Sequence, residues 1–197
     1  MREVELKSVV DDIAVRRAAV EAAGGRLEFS GRLLDIRYDR PDRSLAARDH
    51  VLRLRLYDSG GARRASLDWK GETCYEQGFK VREEISTDVG DYGAVTEILL
   101  RLGFVPTIEI DRQIAQYELR GATVRFEAYP DMDSLVEVEG TPEAIEEAIV
   151  AIGLSRAGFT SERLPEFMAR FEARTGRRAA LSQAELSGDR HYRPEDA

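Results

Sequence analysis

Two spacings of apolar residues alternate along the chain. In residues 2–9, 26–39, 51–58, 63–71, 78–87, 107–119, 122–128 and 135–139 apolar and polar side chains take turns, the pattern of strands with one covered face. Turn-forming stretches such as Ser59-Gly60-Gly61-Ala62 and Arg120-Gly121 separate several of them. Elsewhere the period lengthens to that of a helix. Residues 11–23 put Ile13, Val15, Ala19 and Val20 on one broad side and stop at Gly24-Gly25, and residues 91–102 stop at Gly103. Thr141-Pro142-Glu143 is a helix start: the hydroxyl caps, proline suits the first helical position, and the acid favours the N-terminal dipole. That helix should end near Ile152-Gly153. A last helix over 161–175 should bury Leu164, Phe167, Met168 and Phe171 before Gly176. Eight short strands with a few helices, and no repeat or linker, predict an α+β domain dominated by a closed antiparallel sheet. The expected domain spans 1–176. Residues 177–197 should form a polar, loosely attached tail with one short helical turn around 181–186.

The polar face of these strands is unusual. A one-sided sheet in water shows a mixed polar face, but here that face is mostly charged, with both signs. Glu3, Glu5 and Lys7 alternate with Val4 and Leu6, and Arg53 and Arg55 with Leu52, Leu54 and Leu56. Asp68 and Lys70 oppose Leu67 and Trp69; Lys80, Arg82 and Glu84 alternate with Phe79, Val81 and Ile85. Arg125 and Glu127 oppose Val124 and Phe126, and Glu137 and Glu139 oppose Val136 and Val138. Charges therefore recur at about 7 Å steps along each strand. Two readings are open: a solvent face laced with salt bridges, or a wet charged interior with the apolar face outward under helices. Repetition on six strands favours the second. Buried charges cost several kcal/mol each unless they are paired. A multiply charged anion would answer the Lys and Arg residues, and divalent cations would answer the Glu residues.

Composition narrows the choice. The chain has 197 residues, 43% hydrophobic and 34% charged, which is globular and not disordered. A net charge of −8 argues against a general nucleic-acid partner, although not against a local basic pocket. No apolar run or leader-like segment points to a membrane or to export, so a cytoplasmic monomer or homodimer is expected. The single cysteine, Cys74, forms no intramolecular disulfide and reads as an ordinary buried or half-buried thiol. Asp35 and Arg37 could line a tunnel mouth, whereas Asp39 reads as a turn residue. His50 reads as a solvated loop histidine, Trp69 and Tyr38 as core cover, and Tyr129 as a packing residue; His191 has no assigned role.

The charged strands, taken in order, resemble the CYTH family, or triphosphate tunnel metalloenzymes, which includes class IV adenylyl cyclases, thiamine triphosphatases and inorganic tripolyphosphatases. The resemblance runs over roughly residues 1–175. It rests on Glu3-Val4-Glu5-Leu6-Lys7, Asp35-Ile36-Arg37-Tyr38-Asp39, the stretch from Leu45 to Arg55, Leu67-Asp68-Trp69-Lys70-Gly71, Lys80-Val81-Arg82-Glu83-Glu84, and Glu127 ahead of Glu137-Val138-Glu139. It implies an eight-stranded antiparallel tunnel that binds a triphosphate-bearing small molecule with Mg2+ or Mn2+. It implies that Lys7, Arg53, Arg55, Lys70, Arg82 and Arg112 grip the triphosphate, with Lys80 and Arg125 either joining them or pairing within the barrel. It implies metal ligands among Glu3, Glu5, Glu127, Glu137 and Glu139, with Glu84 either joining them or pairing with Arg82. Lys7, Glu5 and Glu137 are the expected catalytic residues. The chain departs from the family pattern at Ile110, where a lysine is usual, at Glu127, where Asp is usual, and at Met132-Asp133 in place of Leu-Gly. The expected activity is metal-dependent hydrolysis of a triphosphate compound. The alternatives are cyclisation of ATP to cyclic AMP and pyrophosphate, or polyphosphate or nucleotide binding without turnover.

Overall fold

A computed structural model describes residues 2–189. The eight expected strands are all formed: β1 (Arg2–Val9), β2 (Arg26–Asp39), β3 (Val51–Asp58), β4 (Arg63–Lys70), β6 (Phe79–Val89), β7 (Val105–Leu119), β8 (Ala122–Ala128) and β9 (Leu135–Glu139). A short strand that the pattern did not foretell, β5 (Cys74–Glu76), precedes β6 and pairs with it alone. The order β1-β9-β8-β7-β2-β3-β4-β6 returns to β1 through a β1–β6 pairing, so the sheet closes into an antiparallel barrel. Closure leaves the eight barrel strands without a free edge. Cys74 lies on β5 and is exposed, which corrects the expectation of a buried thiol.

The helices cover the outer, apolar face. Asp12 caps α1 (Ile13–Ala22), its carboxylate accepting from the Ala14 amide at 2.8 Å. Thr141 caps α3 (Pro142–Ile152), which ends on Gly153 at φ 74°, a conformation that suits glycine. α1 lies beside α3, and α3 packs against β1, β8 and β9. There Val20, Ile145, Ile149 and Ile152 bury with Leu6, Val124, Phe126 and Val138. Each such side chain contributes about 1.5–3 kcal/mol on leaving water. α2 (Tyr92–Arg101) brings Leu99 onto Tyr38 and Leu54. Tyr38 is thus core cover, as expected, and Trp69 is half-buried with its ring edge-on to His50, the centroids 5.1 Å apart.

α4 (Leu164–Thr175) starts three residues later than the sequence pattern suggested. Residues 161–163 stay outside the helix, and the Glu166 side chain reaches back to accept from the Arg163 amide at 2.9 Å. Phe167, Met168 and Phe171 bury as expected, against Ile108, Ile110 and Leu135 at one end of the barrel. The tail is not loosely attached over its first part. Ala179, Ala180 and Leu181 are buried, and Ala180 exchanges backbone hydrogen bonds with Asp131. The Asp111 amide donates to the Leu181 carbonyl at 2.8 Å, and α5 (Gln183–Leu186) follows. His191 and the end of the tail lie outside the described residues.

Candidate functional site

With helices on the outer face, the charged positions of the strands turn inward. β1 contributes Glu3, Glu5 and Lys7, β3 Arg53 and Arg55, β4 Asp68 and Lys70, and β6 Lys80, Arg82 and Glu84. β7 adds Arg112, β8 Arg125 and Glu127, and β9 Glu137 and Glu139. Nearly all are buried; Lys7, Glu84 and Glu139 are half-buried. At several positions the register of the barrel sets opposite signs across neighbouring strands, although Glu5 faces Glu139 and Arg37 faces Arg53. Lys7 faces Glu137 on β9, Arg125 faces Glu137 from β8, Lys80 faces Glu5, Arg53 faces Asp68, and Lys70 faces Glu84. Opposed pairs of this kind stabilise a sheet and offset part of the cost of burying charge.

The side chains complete a continuous network. The Lys7 ammonium lies between Glu5 at 2.8 Å and Glu137, and Lys80 donates to Glu5 at 2.6 Å. Lys70 pairs with Glu3 and lies 3.2 Å from Glu84. Arg125 pairs with Glu137 at 3.0 Å and Arg112 with Glu127 at 3.0 Å. Glu84 pairs with Arg53 at 3.3 Å and with Lys70 at 3.2 Å. Arg82 donates to the backbone carbonyls of Gly71 and Asp49.

Two acids outside the expected ligand and phosphate-gripping sets are central to this network. Asp68 accepts from Arg53 at 2.9 Å, and Asp35 accepts from Arg55 at 3.2 Å and lies 3.6 Å from Arg53. Their signal was present in the strand alternation, since each lies two residues from an inward base. Tyr129 also proves to be a site residue: its hydroxyl donates to Glu127 at 2.5 Å, and its ring lies near the Arg112 guanidinium. Asp39 is the expected turn residue, its carboxylate accepting from the Arg40, Leu45 and Ala46 amides.

These neighbours fix the charge states. Burial pushes the Glu5 carboxyl up, yet Lys7, with Lys80 and Lys70 behind it, outweighs burial and holds it at about 2. Burial also works against Glu137, but Lys7 and Arg125 hold it far below the usual carboxylate range. Asp35 is held down against burial by Arg53, Arg55 and Arg112. Glu139 goes the other way. Burial first, then the Glu3 carboxylate, push it up to about 7 against the pull of Arg125, which lies 3.7 Å away.

The interior opens in two directions. Toward α4 it is a space of about 90 Å3 whose walls include Lys7, Arg37, Lys80, Arg112, Ile110 and Tyr129, with Arg163 and Leu164 at its rim. Asp49 stands at the same rim and accepts from Arg163 at 2.9 Å. Arg53, Arg55 and Arg125 face both this space and a wider opening of about 470 Å3 on the opposite side, beside Glu3, Glu84 and Glu139. The two openings therefore share a middle lined by Arg53, Arg55 and Arg125, each paired with an acid.

The expected metal can be tested against these donors. Carboxylate oxygens suit Mg2+ and Mn2+, and Glu139 is a half-buried acid raised by desolvation and then by its Glu3 neighbour, the electrostatic condition a cation relieves. Among the described residues no group of three acids stands ready around one point. Lys7, Lys70 and Arg125 occupy the gaps between Glu3, Glu5, Glu137 and Glu139. The donor chemistry thus fits such an ion, provided the bases turn to another anion.

Comparison with known proteins agrees with this architecture. The CYTH domain pattern matches residues 1–152. No curated protein matches the chain in sequence. Among solved structures, the PH1819 protein of Pyrococcus horikoshii is 23% identical, with a TM-score of 0.70 over 85% of this chain and 98% of its own. A candidate adenylate cyclase from Vibrio parahaemolyticus is 17% identical, with a TM-score of 0.72 over 85% and 97%. HpAC1 from Hippeastrum, a candidate adenylyl cyclase described as having a dominant triphosphatase activity, is 18% identical, with a TM-score of 0.62 over 92% and 98%. At these identities the likeness is one of fold.

Proposed function

This chain belongs to the CYTH domain family, and from that premise we propose that it is a divalent-metal-dependent phosphohydrolase acting on a triphosphate-bearing small molecule held inside the barrel. The observation that carries the reading is the inward convergence of Lys7, Arg53, Arg55, Arg112 and Arg125 on one enclosed passage, each held by a carboxylate that a phosphate could replace. Phosphoryl transfer needs the nonbridging oxygens neutralised and the nucleophile aligned. The planar guanidinium groups of Arg53, Arg55, Arg112 and Arg125 can each take two phosphate oxygens, and Lys7 and Lys70 supply point charges.

Binding is an exchange of partners. As phosphate oxygens take Lys7, the Glu5 and Glu137 carboxylates lose their counter-charge. As they take Lys70 and Arg125, Glu3 and Glu139 lose theirs. Glu3, Glu5, Glu137 and Glu139 would then hold the ion, with Glu127, oriented by Tyr129, as a further ligand. A bound Mg2+ or Mn2+ supplies charge neutralisation at the phosphates and a lowered pKa for attacking water. Lys7, between the acids and the phosphate path, would orient the reacting phosphoryl group.

Incubation with tripolyphosphate, thiamine triphosphate and ATP, each with Mg2+ or Mn2+, tests the reading. Orthophosphate is the expected product, and its release should stop with a chelator. Cyclic AMP and pyrophosphate from ATP would instead establish a cyclase. Tight binding without turnover on any substrate would establish a polyphosphate-binding protein.

A further inference from the structure

Asp35 is 1% exposed, yet it belongs neither to the bases that would grip phosphate nor to the acids that would hold metal. It lies on β2, the strand between β3 and β7. Its Oδ2 is shared by arginines from both neighbours. From β3 come Arg55 Nε at 3.2 Å and Arg53 Nη1 at 3.6 Å, and from β7 comes Arg112 Nη2 at 4.0 Å. The register explains this reach. Asp35 stands directly opposite Arg55 on β3, but opposite the apolar Ile110 on β7. Its contacts with Arg53 and Arg112 therefore run diagonally, a separation that long side chains span.

Three guanidinium groups around one point repel one another, and each ends a long side chain with several rotamers to lose. Asp35 offsets the repulsion and sets the three at once. Arg53, Arg55 and Arg112 hold its carboxyl far below the usual range against burial, so it stays ionised. An ionised carboxylate repels phosphate oxygen, and Asp35 can help an anion only through the arginines. It meets one nitrogen on each of them, and a guanidinium has five N–H donors, so each arginine keeps others for phosphate while held. Nη1 of Arg112, for one, is buried at the passage without a hydrogen-bond partner. Among the acids on these arginines, Asp35 is thus one that phosphate need not displace.

We propose that Asp35 is a positioning residue of the passage, holding the Arg53, Arg55 and Arg112 guanidinium groups in one array that meets the phosphate chain ready-formed. The proposal rests on the reading of the barrel as a triphosphate site. An array set before binding strengthens it by lowering the cost of ordering those side chains.

Calorimetric titration of imidotriphosphate, whose P–N–P bridges resist hydrolysis, tests this at one fixed free Mg2+ concentration. The chains compared are wild type, Asp35→Glu, Asp35→Asn and Asp35→Ala. Two comparisons hold charge constant. Asp35→Glu keeps the charge but moves the oxygens by one methylene, and should bind about fivefold or more weakly than wild type. Asp35→Asn and Asp35→Ala both lack the charge, but only the amide oxygen can still accept from the arginines. Asp35→Asn should therefore bind about tenfold or more tightly than Asp35→Ala, the effect of one hydrogen bond to a charged group. Ligand-free melting reads the cost to the fold separately, and if Asp35→Ala does not fold, Asp35→Glu against wild type decides alone. Equal affinity within either pair of folded chains overturns the proposal and leaves the triphosphate reading intact. Lower melting temperatures with unchanged affinities mark a purely structural acid and overturn it too. If wild type does not bind imidotriphosphate, the triphosphate reading itself fails and the proposal goes with it.

Discussion

At the scale of single residues, the site stores electrostatic cost where a ligand would relieve it, and Glu139 shows this most directly. Its carboxyl titrates ordinarily at 4.5, and in the fold burial and then Glu3 push it up to about 7. The folded chain therefore holds a proton there more firmly than the unfolded chain does. The associated stability is full below about 4.5 and is lost as pH rises through about 7. Glu139→Gln removes that loss. Without ligand it should melt about 2–4 °C higher than wild type at pH 8, the equivalent of about 1 kcal/mol, and about equally at pH 4.5. Its metal-dependent hydrolysis should fall at least about a hundredfold, the effect of losing one transition-state electrostatic contact. Melting curves at the two pH values and phosphate release check both parts. A lower melting point at pH 8 would show that Glu139 is stabilised where it lies. The inward position of Glu139 was legible in the sequence, because Glu137-Val138-Glu139 alternates strictly. Its contrast with Glu137 was not. That contrast comes from Lys7, distant in sequence and set beside Glu137 by the β1–β9 register.

At the scale of elements, what could be read from the chain followed the length of each pattern. The strict alternation of β1, β3, β8 and β9 placed their ends within the sequence, and Pro142 and Gly153 marked α3. β5 escaped because three exposed residues hold no period. The tail escaped for a related reason: Ala179-Ala180-Leu181 is too short an apolar run to show a face, and its neighbours are polar. In the fold that run closes the cluster formed by Ile108, Leu135, Phe167 and Phe171, so it also supports α4 against the end of the barrel. Leu181 is fully buried there. Leu181→Ala should cost about 2–3 kcal/mol, a drop in melting temperature of roughly 5–10 °C. The loss should be the same with and without tripolyphosphate, because Leu181 touches the packing of α4 and not the passage. Thermal melts of the variant decide it. A loss below about 0.5 kcal/mol, the range of surface substitutions, would return the tail to the status of an appendage.

At the scale of the whole molecule, the net charge of −8 says little about the barrel, whose buried bases are interleaved with buried acids such as Glu3, Glu5, Asp35, Asp68, Glu127 and Glu137. Inside, nearly every base is held by an acid, so neither a polyanion nor a divalent cation can enter alone without stranding the other partner. Phosphate that draws Lys7, Lys70 and Arg125 leaves Glu137, Glu3 and Glu139 buried and unpaired, which costs several kcal/mol. A cation that takes those acids leaves the bases in the same position. Each ligand removes the penalty that the other incurs, which is a coupling free energy between them. At fixed free concentrations, tripolyphosphate and Mg2+ together should therefore raise the melting temperature by more than the sum of their separate shifts. A coupling of about 1–3 kcal/mol makes the excess roughly 2–12 °C. Ligand binding to the folded state alone gives each separate shift its size through mass action, so the excess isolates the exchange of partners. Strictly additive shifts would mean that the ion pairs of the barrel stay closed when the ligands bind, and that phosphate and metal are held somewhere other than between these side chains.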